Sequence, residues 1–172
     1  MLSGTLHEKI KRYKYPPYAK GWGTIFGRIV AGHLDSTPKD YEAFDSIIPT
    51  PTYIGEGAAR DFDHILLMLE HAAAESTYSW PMRLRDPLIA RVAPVTSMVE
   101  ARTYQKRRQL AESELRDALQ VPSPGSVRGR RVLVVDDIFT DGLSLNEAAR
   151  ALRLAGAIQV CGLTLARTPW RR

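Results

Sequence analysis

RVLVVDDIFTDGLSLNEAARALRLAGAIQVCGLTLA, Arg131 to Ala166, decides the fold. Arg131 to Val135 opens it with a continuous branched apolar run, which suits a strand buried on both faces of a parallel sheet. Leu145 to Leu154 then places apolar residues at 145, 148, 149 and 152, one face of a helix. Ser144 and Glu147 have the spacing of a capping box at its start. Gly156 stops it, with Arg150 and Arg153 in the last turns. Gln159 to Ala166 reads as a second strand. Strand, loop, helix and strand make a βαβ unit, so the chain is predicted to be α/β, with a mainly parallel sheet and helices on both faces.

The chemistry lies between the first strand and the helix. Asp136 and Asp137 are expected to leave the carboxyl end of the strand, where open α/β sheets bind ligands. Thr140, Asp141, Gly142, Leu143 and Ser144 turn into the helix. Backbone N–H groups and the dipole at a helix N-terminus attract anions. Gly142 permits positive φ or close approach, and Thr140 and Ser144 add hydroxyl donors. The turn therefore suits a phosphate. The carboxylates of Asp136 and Asp137 can accept hydrogen bonds from sugar hydroxyls or help hold a hydrated Mg²⁺. Phosphate plus diol describes a ribose 5-phosphate. Ser144 as a cap and Asp141 as a turn former need no ligand singly, but the combination with an acid pair and buried strands favours one. A response-regulator receiver is excluded, because too little chain follows Asp137 to complete one.

Working outward, Leu6 to Leu34 is expected to form one or two helices around Pro16-Pro17, followed by a polar loop at Ser36 to Asp40. Phe44 to Ile48 reads as a strand ended by Pro49. His64 to Ala74 is a helix, Leu88 to Val95 a further strand, Gln109 to Leu119 a polar amphipathic helix, and Val121 to Gly129 a loop. Arg171-Arg172 reads as a frayed end.

Composition fits one domain over residues 1–172, with 44% hydrophobic residues. No apolar run is long enough for a membrane span, and the first residues lack a signal-peptide core, so a cytoplasmic setting is expected. Cys161 is single and reads as a packing residue. The histidines form no metal-ligand spacing with it. The net charge of +5 suits anionic small molecules and is compatible with weak nucleic-acid attraction. The basic-aromatic set Lys9, Lys11, Arg12, Tyr13, Lys14, Tyr15, Tyr18 and Lys20 could serve such attraction, although a solvated helix edge accounts for it more simply. Lys106, Arg107 and Arg108 read equally as a lid or as ordinary charged surface.

VLVVDDIFTDGLSLNEAARALRLAGA (Val132 to Ala157), TLAR (Thr164 to Arg167), IIPTPTYIGEGAARDFDH (Ile47 to His64) and TYQKRRQLAESELR (Thr103 to Arg116) together resemble the ComF-type branch of type I phosphoribosyltransferases. The resemblance implies a Rossmann-like core. Asp136 and Asp137 would face the ribose diol and Mg²⁺, and Thr140, Asp141, Gly142, Leu143 and Ser144 the 5-phosphate. Thr52, Tyr53, Ile54 and Arg60 would form a pyrophosphate loop, and Thr103, Gln105 and Lys106 a flexible loop. Residues 1–40 would supply the hood that recognises the acceptor. The ligand would be phosphoribosyl pyrophosphate or another phosphorylated ribose. Two roles follow: transfer of phosphoribosyl to a small nitrogenous acceptor, or a non-catalytic binding module related to competence (DNA-uptake) proteins. A homodimer stays open. Two departures stand out. Thr140-Asp141 replaces the family's paired threonines. The pyrophosphate loop sets Glu56, Asp61 and Asp63 against Arg60 alone, which predicts weak pyrophosphate binding. In an active enzyme Arg60 is expected to point toward the Asp136–Ser144 loop.

Overall fold

The computed structural model describes residues 5–96, 101 and 103–168. The pair Arg171-Arg172 lies outside them. The core is a three-stranded parallel sheet of β1 (Ser46–Pro49), β4 (Arg131–Phe139) and β5 (Gln159–Arg167), in the order β1-β4-β5. β4 is central, with Ile47 beside Leu133 and Leu133 beside Cys161. A two-residue antiparallel pair, β2 (Ala90–Arg91) and β3 (Leu119–Gln120), lies apart from it.

Alternation along β4 builds two cores. Leu133 and Val135 face α1 (Thr5–Lys14), α2 (Trp22–Ser36) and α4 (His64–Glu75), together with Tyr13, Phe26, Met68 and Leu69. Val132 and Val134 face α7 (Leu143–Leu154) and the segment α5 (Tyr104–Leu110), a π-helical turn (Ala111–Leu115) and α6 (Arg116–Ala118), through Leu115, Ala148 and Leu152. Helices thus cover both faces, as the sequence led us to expect. α2 and α4 approach closely because Gly27 has no side chain: a Cβ there would lie 2.5 Å from the His71 Cβ and 2.9 Å from the Met68 carbonyl. α7 ends in a Schellman pair of hydrogen bonds, Ala157 N–H to Leu152 O and Gly156 N–H to Arg153 O.

Several boundaries differ from expectation for identifiable reasons. β4 runs four residues past Val135 because β5 continues to pair with it, through Asp136–Thr164 and Phe139–Arg167. The acid pair therefore sits inside the strand. The polar stretch after α2 holds a helical turn, α3 (Pro38–Tyr41), with Pro38 at the position where its missing N–H costs nothing. The strand expected over Leu88 to Val95 shrinks to Ala90–Arg91, since only Leu119 and Gln120 offer a partner. The capping box does not form. Gly142 occupies the N-cap position with Ser144 already inside the helix. Glu147 instead accepts from Arg116 at 2.8 and 3.0 Å and from Arg150 at 2.6 Å. None of the described helices is long and apolar enough to cross a membrane.

Candidate functional site

Parallel strands leave their carboxyl ends at one edge of the sheet. The chain following β1, Thr50 to Asp63, and the turn following β4, Thr140 to Gly142, therefore meet there. Thr50 fixes the first of these by donating its N–H and its hydroxyl to Val135 O, at 2.8 and 3.1 Å.

Pleating separates the two carboxylates. Asp137 continues the Leu133–Val135 row and is buried. The Lys14 ammonium grips both its oxygens, Oδ2 at 2.7 Å and Oδ1 at 3.0 Å. His64 Nε2 lies 3.2 Å from Oδ2. Burial opposes the charge on Asp137, but the bond from His64 and the Lys14 charge outweigh it and hold the carboxyl well below its usual range. Burial lowers the pKa of His64, against the pull of Asp137. Since a carboxylate only accepts, His64 donates through Nε2, and its Nδ1 is buried without a partner. Asp136 continues the other row and is half-buried. Its Oδ1 accepts the Asp137 N–H at 2.9 Å. Burial, and then the neighbouring charge of Asp137, push Asp136 up to about 7. One acid is thus held ionised by an internal cation, while the other is poised near neutrality.

Arg60 leans over the Tyr15 ring at 5.1 Å and donates to its hydroxyl at 3.3 Å. Its charge reaches Asp136 and His64, but among the described residues its ring contact and hydrogen bond are with Tyr15, and it makes no hydrogen bond to the turn after β4. Arg91 stands near enough for burial and then Arg60's charge to lower its pKa. The Nε of each arginine is buried with no partner. Two like charges with idle donors are costly unless an anion joins them. The chain after β1 is also less acidic in effect than its composition suggests. Asp63 caps α4 through the N–H groups of Ile65 and Leu66, at 3.0 and 2.9 Å. Tyr53 donates to Glu56 O at 3.2 Å, while Ile54 is exposed.

At the turn, Gly142 has φ of +77°, and a Cβ there would meet the Phe139 ring at 2.8 Å. Both facts require glycine. Asp141 accepts from the Leu143 N–H at 3.2 Å and pairs with Arg107 Nε at 2.7 Å. Arg107 also donates to Ala101 O at 3.2 Å. Asp141 thus occupies one of the amides proposed for the phosphate, and its charge is matched. Thr140 Oγ1 lies 3.4 Å from Thr168 Oγ1. Thr103 caps α5 through the Lys106 N–H at 3.2 Å, and Gln105 and Lys106 are exposed on that helix.

Sequence reasoning missed Lys14 and His64 as members of this edge and Arg91 as a neighbour of Arg60, and it left Arg107 open between a lid and ordinary surface. Lys14 carried a signal, since it follows Ile10 and Tyr13 on the apolar face of α1. Arg91 carried none beyond an arginine in a short apolar run. The basic-aromatic N-terminus is split, with Lys11, Arg12 and Lys20 exposed and Lys9, Lys14, Tyr15 and Tyr18 partly buried. Tyr13 is fully buried, Lys9 lies over Trp22 at 5.2 Å, and Lys20 over Phe62 at 4.5 Å.

The model of the phosphoribosyl transferase domain family matches residues 84–170. Among solved structures, the chain is similar to a hypoxanthine-guanine-xanthine phosphoribosyltransferase at 14% identity and TM-score 0.43, covering 84% of this chain and 62% of that one. It is also similar to a hypoxanthine-guanine phosphoribosyltransferase of Bacillus anthracis at 14% identity and TM-score 0.45, covering 88% and 70%. A purine phosphoribosyltransferase of Pyrococcus horikoshii has 17% identity and TM-score 0.44, covering 87% and 75%. The chain spans less than two thirds of the first of these proteins. No curated protein matches the sequence.

Proposed function

The chain belongs to the phosphoribosyl transferase domain family, and on that premise we propose that it binds phosphoribosyl pyrophosphate, or another ligand containing ribose 5-phosphate, at the carboxyl ends of β1 and β4. Asp136 takes the ribose diol, aided by the one lone pair that Lys14 and His64 leave on Asp137. Thr140, Ser144 and the free amides of the first turn of α7 take the 5-phosphate, beside Asp141, Gly142 and Leu143. Thr52, Tyr53 and Ile54 bring Arg60 to the pyrophosphate, with Arg91 behind it. Thr103, Gln105 and Lys106 stand at the rim. The observation that carries this reading is the pair of idle, buried Nε donors on the neighbouring Arg60 and Arg91, with the charge of Arg60 reaching Asp136.

Transfer to a nitrogenous acceptor would proceed through a cation-like sugar. The protein's part is then to hold the ribose and to stabilise developing charge with groups already in place. The order of motifs supports placing the chain in the ComF-type branch. The occupied amide of Leu143 supports a second reading, a binding module of slow or no turnover. A cytoplasmic setting suits either reading.

Mg²⁺ does not fit this site as an ion held by side chains. The described residues contain no cluster of three or more ligating groups, and both Asp137 oxygens are committed to Lys14 and His64. When bound to a ligand's phosphates, the ion would supply charge neutralisation there.

Calorimetric titration with phosphoribosyl pyrophosphate and ribose 5-phosphate tests the reading. Wild type should bind both, the former more tightly. The double variant Arg60→Gln/Arg91→Gln should bind the two equally, and Asp136→Asn/Asp137→Asn should bind neither. Failure of wild type to bind either ligand refutes the proposal.

A further inference from the structure

We propose that the Lys14 ammonium is this protein's resident cation at the acid pair, so that ribose phosphates bind without any divalent ion at Asp137. The inference rests on the ribose reading above for its ligand, and on geometry for its cation. Lys14 is bidentate on a carboxylate whose side chain is only 3% exposed, and His64 takes a third position on it. A directly bound Mg²⁺ needs oxygens at about 2.1 Å and keeps several waters in an octahedral shell. The ammonium and the imidazole occupy the approaches such a shell would use.

Lys14 is not easily moved aside. Tyr13, its neighbour on α1, donates to His64 O at 2.5 Å. The Tyr13 ring meets Phe26 and Phe62 edge-on at 5.4 and 5.9 Å. Ile10, one turn earlier, is fully buried. Withdrawing Lys14 therefore means undocking α1 and leaving Asp137 buried without its cation. A side chain, which cannot diffuse away, sits where an exchangeable ion would otherwise be recruited.

Two measurements test this on the full chain. Binding of ribose 5-phosphate is measured calorimetrically in Mg²⁺ and in EDTA. Binding of Mn²⁺ to the ligand-free protein is followed by its electron paramagnetic resonance signal. Wild type should bind ribose 5-phosphate with the same affinity in both buffers and hold no tight Mn²⁺. Lys14→Gln should gain Mn²⁺ affinity by roughly tenfold or more, the effect of removing one close like charge, and should bind the sugar better with Mn²⁺ than in EDTA. Lys14→Arg should behave as wild type. Loss of wild-type sugar binding in EDTA overturns the inference, whatever the fold of the variants. So does equal Mn²⁺ binding, tight or absent, by wild type and a folded Lys14→Gln. If no buffer supports sugar binding, the ribose reading fails, and the Mn²⁺ comparison still decides the role of Lys14.

Discussion

Replacing Asp141 with asparagine should tighten the binding of ribose 5-phosphate. The amide can still accept from the Leu143 N–H, so the turn is kept, but the charge goes. In the wild type that carboxylate lies 3.2 Å from Leu143 N. A phosphate on the neighbouring amides would lie about 5 Å away, where two unit charges at an effective dielectric of 20 repel by roughly 3 kcal/mol. Arg107, at 2.7 Å, cancels most of this repulsion. In Asp141→Asn, Arg107 loses its partner and can turn to the phosphate, a charge-assisted bond worth about 1.5–3 kcal/mol. Affinity should therefore rise between roughly tenfold and a hundredfold. The lost pair is partly exposed, at 25% and 18% for its two side chains, so stability should fall by no more than about 1 kcal/mol. Calorimetric titration of both proteins near neutral pH measures the gain, and urea unfolding measures the cost. In Arg107→Ala/Asp141→Asn most of the gain should vanish. Unchanged or weaker binding by folded Asp141→Asn would refute the placement of the phosphate.

Gly142→Ala should lose about 2–3 kcal/mol in urea unfolding, from its φ of +77° and the contact with Phe139; a loss below ~0.5 kcal/mol would mean the turn is not held there. Asp136 should make the protein less stable as pH rises. Its folded pKa, about 7, lies above the ordinary carboxylate value of 3.8, so the unfolded chain ionises first and stability falls between those values and levels off above. Asp136→Asn should therefore help more at pH ~8 than at pH ~4, read from urea midpoints; the reverse order would show that the carboxyl is not buried. Asp137 has the opposite sign. Its folded pKa is depressed, so its contribution is present above the ordinary carboxylate range and lost as pH falls through the folded value. Asp137→Asn should cost stability at neutral pH and progressively less in acid.

What was legible in the sequence is what depends on neighbours along the chain. The periodicity of Leu145 to Leu154 and the branched run from Arg131 are local signals, and the βαβ unit stands where they put it. The length of β4 was not local. Val135 looked like its end because acids follow, yet the partner strand extends pairing to Phe139. The Ser144–Glu147 spacing suggested a cap, but Arg116, 31 residues upstream, claims the carboxylate. The same limit applied to the site. Asp136 and Asp137 are adjacent in sequence and were read as equivalent. Pleating and the cation from α1 make one a fixed anion and the other a near-neutral acid. Asp63 and Asp141 counted as charges against an anion until the cap that Asp63 gives α4, the bond Asp141 accepts from the Leu143 N–H and the partner Arg107 appeared.

The Lys14–Asp137 contact joins residues 123 positions apart, so it encloses most of the chain in one loop. Closing such a loop costs entropy before any local gain repays it, and contacts of this separation form late. During synthesis, α1 emerges long before β4 exists to receive it. Ile10, Tyr13 and Lys14 must wait in the growing chain for their partners. This edge is thus completed only once β4 has been made, and a fragment ending before β4 contains α1 without the carboxylate that anchors it.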